Sequence, residues 1–367
     1  MTHTRLDRIY ELMTASGVQI LALNPGPTLT YLTGLHFHLM ERPTILFVEP
    51  GQKPVLVLPE LEKVKLGSAN FDIHAFPYED DPATWPLIFK QAALHLNLDG
   101  KQVGVEPIRL RYLELGYLQS AAPGAAFISA APALEELRVI KDEQEVVEMR
   151  RAVQIAQKSL QAVLPSIKAG VTEKEIAAEL TIQLLQHGSD PELPFSPIVA
   201  SGANSANPHA GPTDRRLRAG DLLVIDWGAR SNGYCSDLTR TFAVGKVSTE
   251  LETIHEVVQR ANAAGRQAGR PGGSAGEVDR DARRVISDAG YGEYFTHRTG
   301  HGLGLEDHET SSIFANNDQV LLPGMTYTVE PGIYLQGVGG VRIEDNILVT
   351  AGGTESLSDF PRELMNL

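Results

Sequence analysis

At 367 residues the chain is long enough for two to three domains, and a 42% apolar content supplies a core for each. A formal net charge of -14, from 46 acidic against 32 basic residues, excludes nucleic acid and anionic membrane surfaces as partners. No run of about 20 apolar residues occurs, so no membrane-spanning helix is expected, and the single Cys235 excludes an internal disulfide.

The opening segment MTHTRLDRIYELM is amphipathic and charged, with no apolar core of the signal-peptide kind, so a cytoplasmic location is expected. Periodicity predicts a helix over residues 4–16, then short apolar strands at 18–23, 44–49, 54–59, 71–75, 102–106 and 125–129. Helices are expected between them at 60–68, 84–97 and 109–120, which makes an α/β domain. After the Ala/Pro stretch 129–133, the charged run from Leu134 opens one long helix through about Lys168. That junction divides the chain into an N-terminal domain, residues 1–132, and a second domain, residues 133–367. Further helices are expected at 172–186, 249–269 and 274–290, the last two separated by the Arg/Pro/Gly stretch 269–273.

The chemistry concentrates in the second domain. Asp226 and Asp237 lie in LLVIDWGARSNGYCSDLTRTF, where two β-rich runs flank Ser231, Asn232 and Gly233, a hairpin signal. Folding there brings the aspartates within about one residue of direct opposition, their side chains on the order of 5 Å apart. Glu330 and Glu344 repeat the device, equidistant from Gly337 in YTVEPGIYLQGVGGVRIEDNILV. Four carboxylates on a shared surface raise one another's pKa, and divalent cations relieve that repulsion. His301, in TGHGLGLEDHE, is the one nitrogen ligand, with Gly300, Gly302 and Gly304 expected to allow an irregular path around it. Such an oxygen-rich set suits Mn²⁺ or Co²⁺ better than a thiolate zinc centre. Any of these residues alone has an ordinary structural explanation. Two hairpins and a glycine-flanked histidine together point to a two-metal hydrolytic site.

These motifs resemble the metallopeptidase family with the pita-bread fold, which includes methionine aminopeptidase, aminopeptidase P and Xaa-Pro dipeptidase (prolidase). Asp226, Asp237 in SDLTRTF, His301, Glu330 in VEPGIY and Glu344 in VRIED fill the five ligand positions, and the resemblance runs from about Ile140 to the C-terminus. It implies an α/β N-terminal domain followed by an α+β pita-bread (creatinase/methionine aminopeptidase-like) catalytic domain. It also implies two divalent metal ions, Mn²⁺ first, with Co²⁺ or Zn²⁺ as alternatives. His209 in SGANSANPHAGPTD and His308 match family positions that bind substrate and stabilise the tetrahedral intermediate. Glu330 would both ligate metal and shuttle a proton. Arg342 is expected to support the carboxylates, and Tyr234 and Thr239 to orient Asp237.

A separate N-terminal domain disfavours methionine aminopeptidase, and a complete ligand set disfavours creatinase. The leading reading is a prolidase that cleaves Xaa-Pro dipeptides. The alternative is aminopeptidase P acting on longer Xaa-Pro-Yaa peptides, and the remote one is a non-catalytic peptide-binding module of this fold. One departure bears on the choice: Ser312 stands where family members often carry an arginine for the substrate carboxylate. Arg42, with His36 and His38 in YLTGLHFHLMERP, is the expected replacement, supplied in trans within a homodimer.

Overall fold

Thr4 opens the first helix, α1 (Arg5–Ser16), through a reciprocal capping box with Asp7, and Gly17 closes it at φ 71°. The computed structural model describes residues 4–367. It divides the chain into two units, Met1–Arg138 and Val139–Leu367, described in turn.

In the first unit, strands β1 (Ile20–Leu23), β2 (Ile45–Val48), β3 (Val55–Pro59), β4 (His74–Tyr78), β5 (Gln102–Val105) and β6 (Ala126–Ser129) form one sheet in the order β4-β3-β2-β1-β5-β6. The pairs on either side of β2 are antiparallel and the rest parallel. Strands β1 to β3 are continuous apolar runs because every residue in them is buried, as in sheets covered on both faces. Phe47, Val57, Phe89 and Leu118 share one core cluster, and burying a side chain like Phe89 stabilises by about 1.5–3 kcal/mol.

Three expectations fail here. Residues Glu60–Ser68 form a 3₁₀ segment, since no side chain in it is buried to support an α-helix. The strand expected at 71–75 lies at His74–Tyr78. A short helix, α2 (Pro27–Thr33), with Pro27 in its first turn and Gly34 closing it at φ 73°, has no apolar periodicity to announce it.

Helices α3 (Trp85–His95) and α4 (Tyr112–Ala121) lie where helices are expected, and the single helix expected from Leu134 is two, α5 (Ala131–Val139) and α6 (Glu143–Val163). Asp142 caps α6 in a reciprocal box with Glu145, and that start signal breaks the run. In the second unit, α7 (Glu173–Gln186), α8 (Thr249–Ala268) and α9 (Ala275–Asp288) match their expected spans to within a residue or two. Helices α8 and α9 bury apolar stripes, Ile254, Val258 and Ile286 among them, against Ile333 and Val341.

Two sheets carry the acidic residues and the histidine singled out from the sequence. Strands β7 (Ile198–Ser201), β8 (Leu222–Trp227), β11 (Leu238–Ala243) and β19 (Met365–Asn366) form one, in the order β19-β11-β8-β7. Between β8 and β11 the short pair β9 (Arg230–Ser231) and β10 (Tyr234–Cys235) completes a hairpin. The second sheet contains β12 (Gly300–Gly302), β13 (Glu309–Ile313), β14 (Thr326–Val329), β17 (Asp345–Thr350) and β18 (Gly353–Ser356). A ribbon of β15 (Gly332–Leu335) and β16 (Gly339–Arg342) continues from β14 and β17. Among the described residues no helix is long and apolar enough to cross a membrane.

Candidate metal centre

Asn232 and Gly233 turn the first hairpin with φ of 46° and 87°, the left-handed pair that a two-residue type I′ turn requires. The resulting register sets Asp226 opposite Thr239, not opposite Asp237. Asp237 therefore sits two residues from its expected partner. The even offset keeps both aspartates on one sheet face, whereas the single-residue offset expected from the sequence would have put them on opposite faces.

The second hairpin turns at Gly337, φ 78°, with Gly332 opposite Arg342 and Val329 opposite Asp345. One register thus runs through both sheets and places Glu330 and Glu344 across from each other, as the spacing predicts. Neither glutamate bonds to the other's backbone. The Glu330 amide donates to the Thr299 carbonyl at 2.8 Å and the Glu344 amide to the Thr239 carbonyl at 3.0 Å. The second hairpin is thereby joined to β11 of the first.

His301 enters from β12. Its Nε2 lies 3.5 Å from Asp237 Oδ2 and 3.4 Å from Glu330 Oε1, and ligand atoms of Asp237, His301 and Glu344 all fall within 4.8 Å of one another. The flanking glycines serve an irregular path, since the β12–β13 register shifts between Gly300 and Gly302, and also close approach. A Cβ on Gly300 would meet the Thr328 carbonyl oxygen at 1.9 Å, and one on Gly302 the Thr310 oxygen at 1.8 Å.

A second layer holds these groups. Arg342 Nη2 donates to Asp226 Oδ2 at 2.5 Å, Nε to Thr239 Oγ1 at 3.1 Å, and Nη1 to the Pro208 carbonyl at 3.0 Å and the Tyr334 hydroxyl at 3.1 Å. Thr239 Oγ1 in turn donates to Glu344 Oε2 at 2.7 Å. Thr239 therefore orients Glu344 rather than Asp237, and Tyr234 turns away to donate to Glu145. Asp237 is fixed instead through its backbone, which exchanges hydrogen bonds with the side chain of Asn346.

Burial, and for Asp237 and Glu344 the repulsion of neighbouring carboxylates, pushes all four carboxyl groups up, Glu330 to about 7. Burial also drives His301 down to about 3, with the His308 ring beside it contributing. His301 is accordingly neutral, as a ligand nitrogen must be. Asp226 Oδ1 and Glu344 Oε1 are buried without any hydrogen-bond donor. Buried acceptors lacking a donor, in a cluster too acidic for its own charge, fit divalent cations.

The site opens into a cavity of 410 Å³ lined by Phe195, Ile198, His209, His297, Arg298 and His308 beside the carboxylates. The rings of His308 and His301 lie 3.8 Å apart, centroid to centroid. Arg298 and His297 were not singled out from the sequence. Arg298 Nη1 donates to Ser312 Oγ at 3.1 Å, and its contact is legible only once β12 and β13 pair. His297 lies 2.9 Å from the Tyr334 hydroxyl. Arg42 is not among the lining residues; in the first unit it forms a two-pronged fork on Asp80, with both contacts at 2.7 Å.

Comparison with known proteins agrees with this geometry. Residues 147–351 match the model of metallopeptidase family M24, and residues 5–140 that of the creatinase/prolidase N-terminal domain. The Xaa-Pro dipeptidase of Pyrococcus horikoshii is 34% identical over 363 residues, 98% of each chain. The crystal structure of recombinant prolidase from Thermococcus sibiricus superposes with a TM-score of 0.94 at 33% identity, over the whole of both chains. That of an X-Pro aminopeptidase from Thermotoga maritima gives 0.86 at 29% identity, covering 99% of this chain and 100% of the other.

Proposed function

The chain belongs to metallopeptidase family M24, and from that premise we propose that it hydrolyses the bond before proline in Xaa-Pro dipeptides. Family membership makes it a divalent-metal hydrolase whose α/β N-terminal domain precedes an α+β pita-bread catalytic domain. The observation that carries the reading is the convergence of two carboxylate pairs and a neutral histidine around buried acceptor atoms that have no donor. In this reading Asp226, Asp237, His301, Glu330 and Glu344 hold two divalent ions, Mn²⁺ first and Co²⁺ or Zn²⁺ as alternatives, all within a catalytic domain that starts near residue 133. When bound, such ions would polarise the scissile carbonyl and acidify a water.

The side chains do the rest. Arg342 holds Asp226 Oδ2 and Thr239 holds Glu344 Oε2, which leaves Asp226 Oδ1 and Glu344 Oε1 free for metal. Glu330 takes the proton of the attacking water and delivers it to the proline nitrogen, which carries no hydrogen of its own until the bond breaks. His209 and His308, on opposite loops of the cavity, steady the charge that develops on the carbonyl oxygen. Phe195 and Ile198 offer the apolar wall for the ring.

Arg298, held by Ser312 at the cavity wall, is positioned to receive the dipeptide carboxylate, and it occupies the role for which the sequence offered Arg42. Arg42 would add to it from a second copy, in a homodimer. Support for such a pairing is the apolar surface around its loop, where Leu39, Met40, Ile108 (81% exposed) and Tyr112 (89% exposed) lie open. A lone buried cysteine, unpaired in any disulfide, fits action in the cytoplasm.

Chelation should abolish turnover of alanyl-proline and Mn²⁺ should restore it; full activity in metal-free protein would sink the reading. The likeness to the X-Pro aminopeptidase favours a second reading, and preference for Ala-Pro-Yaa tripeptides over the dipeptide would make that reading the better one. Arg298→Ala should raise KM for the dipeptide about 10-fold or more, the value of a hydrogen bond to a charged group. Arg42→Ala separates the two cations: a dipeptide KM raised by that variant as well would give Arg42 a share of the carboxylate.

A further inference from the structure

We propose that Glu173, some distance along the chain from every residue considered so far, is a positioning residue for His209, an inference that rests on the proposed role of His209. Glu173 begins α7 directly after the capping Thr172 and is 0% exposed. Among the described residues no lysine, arginine or histidine forms an ion pair with it. Its carboxylate is filled by neutral donors instead. Oε1 accepts from the Ser201 amide and hydroxyl, both at 2.7 Å, and Oε2 from the Thr213 amide at 3.0 Å and hydroxyl at 2.6 Å. The Asn204 side-chain amide bridges both oxygens at 3.2 Å.

Ser201 and Thr213 are the two ends of the loop that carries His209. One carboxylate therefore closes the loop at its neck. The middle of the loop is held from the other side: Gly340 N donates to Ser205 Oγ at 2.8 Å, Gln336 Nε2 to the Ala206 carbonyl at 3.0 Å, and Arg342 to the Pro208 carbonyl. His209 itself is exposed, and the only hydrogen bond it makes among the described residues is from its backbone amide to Asn207 Oδ1 at 3.2 Å. Its ring stands where the backbone puts it.

An anion that accepts from five neutral donors, with Arg215 reaching it only through the Ser201 hydroxyl at 2.6 Å, is a costly way to hold a loop. A glutamine of the same shape cannot do it, because its amide would point two hydrogens at groups that are themselves donors. The arrangement makes sense where the loop must be held to a fraction of an ångström, the tolerance that a group acting on developing charge requires.

The test is a double-mutant cycle on the metal-loaded full-length enzyme with alanyl-proline. Glu173→Gln should lower kcat about 10²-fold, the cost of a misplacement near 1 Å, with bound metal per chain unchanged because no proposed ligand lies on α7 or in the loop from Ser201 to Thr213. The Glu173→Gln/His209→Ala pair should then be no slower than the slower single variant, and Glu173→Asp, which keeps the charge, should recover part of the loss. Losses that multiply, or a Glu173→Gln enzyme at wild-type rate, overturn the role of Glu173 while leaving His209 in place. A His209→Ala enzyme at wild-type rate overturns the role of His209 and this inference with it. If Glu173→Gln does not fold, Thr213→Val, which deletes a single donor, should show the same failure to multiply with His209→Ala on a smaller loss.

Discussion

The two carboxylate hairpins differ in how far they open. The first holds one register from Leu222 to Ala243, tightly turned at Asn232 and Gly233, with Asp226 inside the paired region, and it parts only between its two short ladders, where the Asp237 amide goes to Asn346. The second keeps its register just as strictly but lets go of its own partner where Glu330 and Glu344 stand, and both amides reach other strands instead. A hairpin that stays closed presents side chains on one face, whereas one that opens can tie its neighbours together. The opened hairpin is thus the joint between the two sheets, and its glutamates sit where the strands meet.

That contrast ranks the expected damage. Glu330→Gln, at the joint, should lower kcat by several orders of magnitude because it removes both a ligand charge and the proton carrier; a variant with near-wild-type kcat would refute the assignment. His209→Ala, one loop away, should cost about 10² to 10³ in kcat. Thr239→Val tests the link between hairpins, since the hydroxyl donates to Glu344 and accepts from Arg342. It should weaken metal binding about 10- to 100-fold, read by calorimetric titration of the metal-free protein.

The two turns sharpen the comparison at lower energy. Alanine at Gly233 or Gly337 should each destabilise by about 1–2 kcal/mol for the left-handed backbone, and Gly233→Ala should be the worse because its Cβ would also meet Leu305 at 3.2 Å while that of Gly337 meets nothing. Denaturant unfolding of both variants checks the order. The smallest effect concerns pH. His297, which braces Tyr334 on the opened hairpin, is driven by burial from an ordinary 6.5 to about 4. A histidine depressed by folding contributes stability that is complete above about 6.5 and is lost as pH falls toward 4. His297→Gln should flatten that part of the stability profile; an unchanged slope would show that the ring is not held neutral.

The hairpins were legible because their turns are local signals: Asn232 and Gly233, then Gly337, lie within a few residues of the strands they join. Register was read correctly for the second and missed by one residue for the first, where the two-residue turn had to be located to the residue. The supporting groups were a different matter. Thr239 meets Glu344 across 105 positions and Glu173 meets Thr213 across 40, so no spacing in the chain announces either pair. Arg298 was hidden for the same reason, because only the pairing of β12 with β13 brings Ser312 to it. The glycines around His301 were read for backbone freedom, which the register shift there bears out, but not for the closeness of strands, because both leave the same letter in the sequence.

Arg342 reaches back 116 positions to Asp226, and that separation sets a schedule during synthesis. At about 5–20 residues per second, a ribosome delivers the guanidinium roughly 6–23 s after the carboxylate it neutralises. Until then the first hairpin can pair its strands but cannot bury Asp226 at low cost, so that carboxylate must stay hydrated until Arg342 arrives. No nascent fragment that stops short of Arg342 should therefore possess a working centre, however completely its first hairpin has paired.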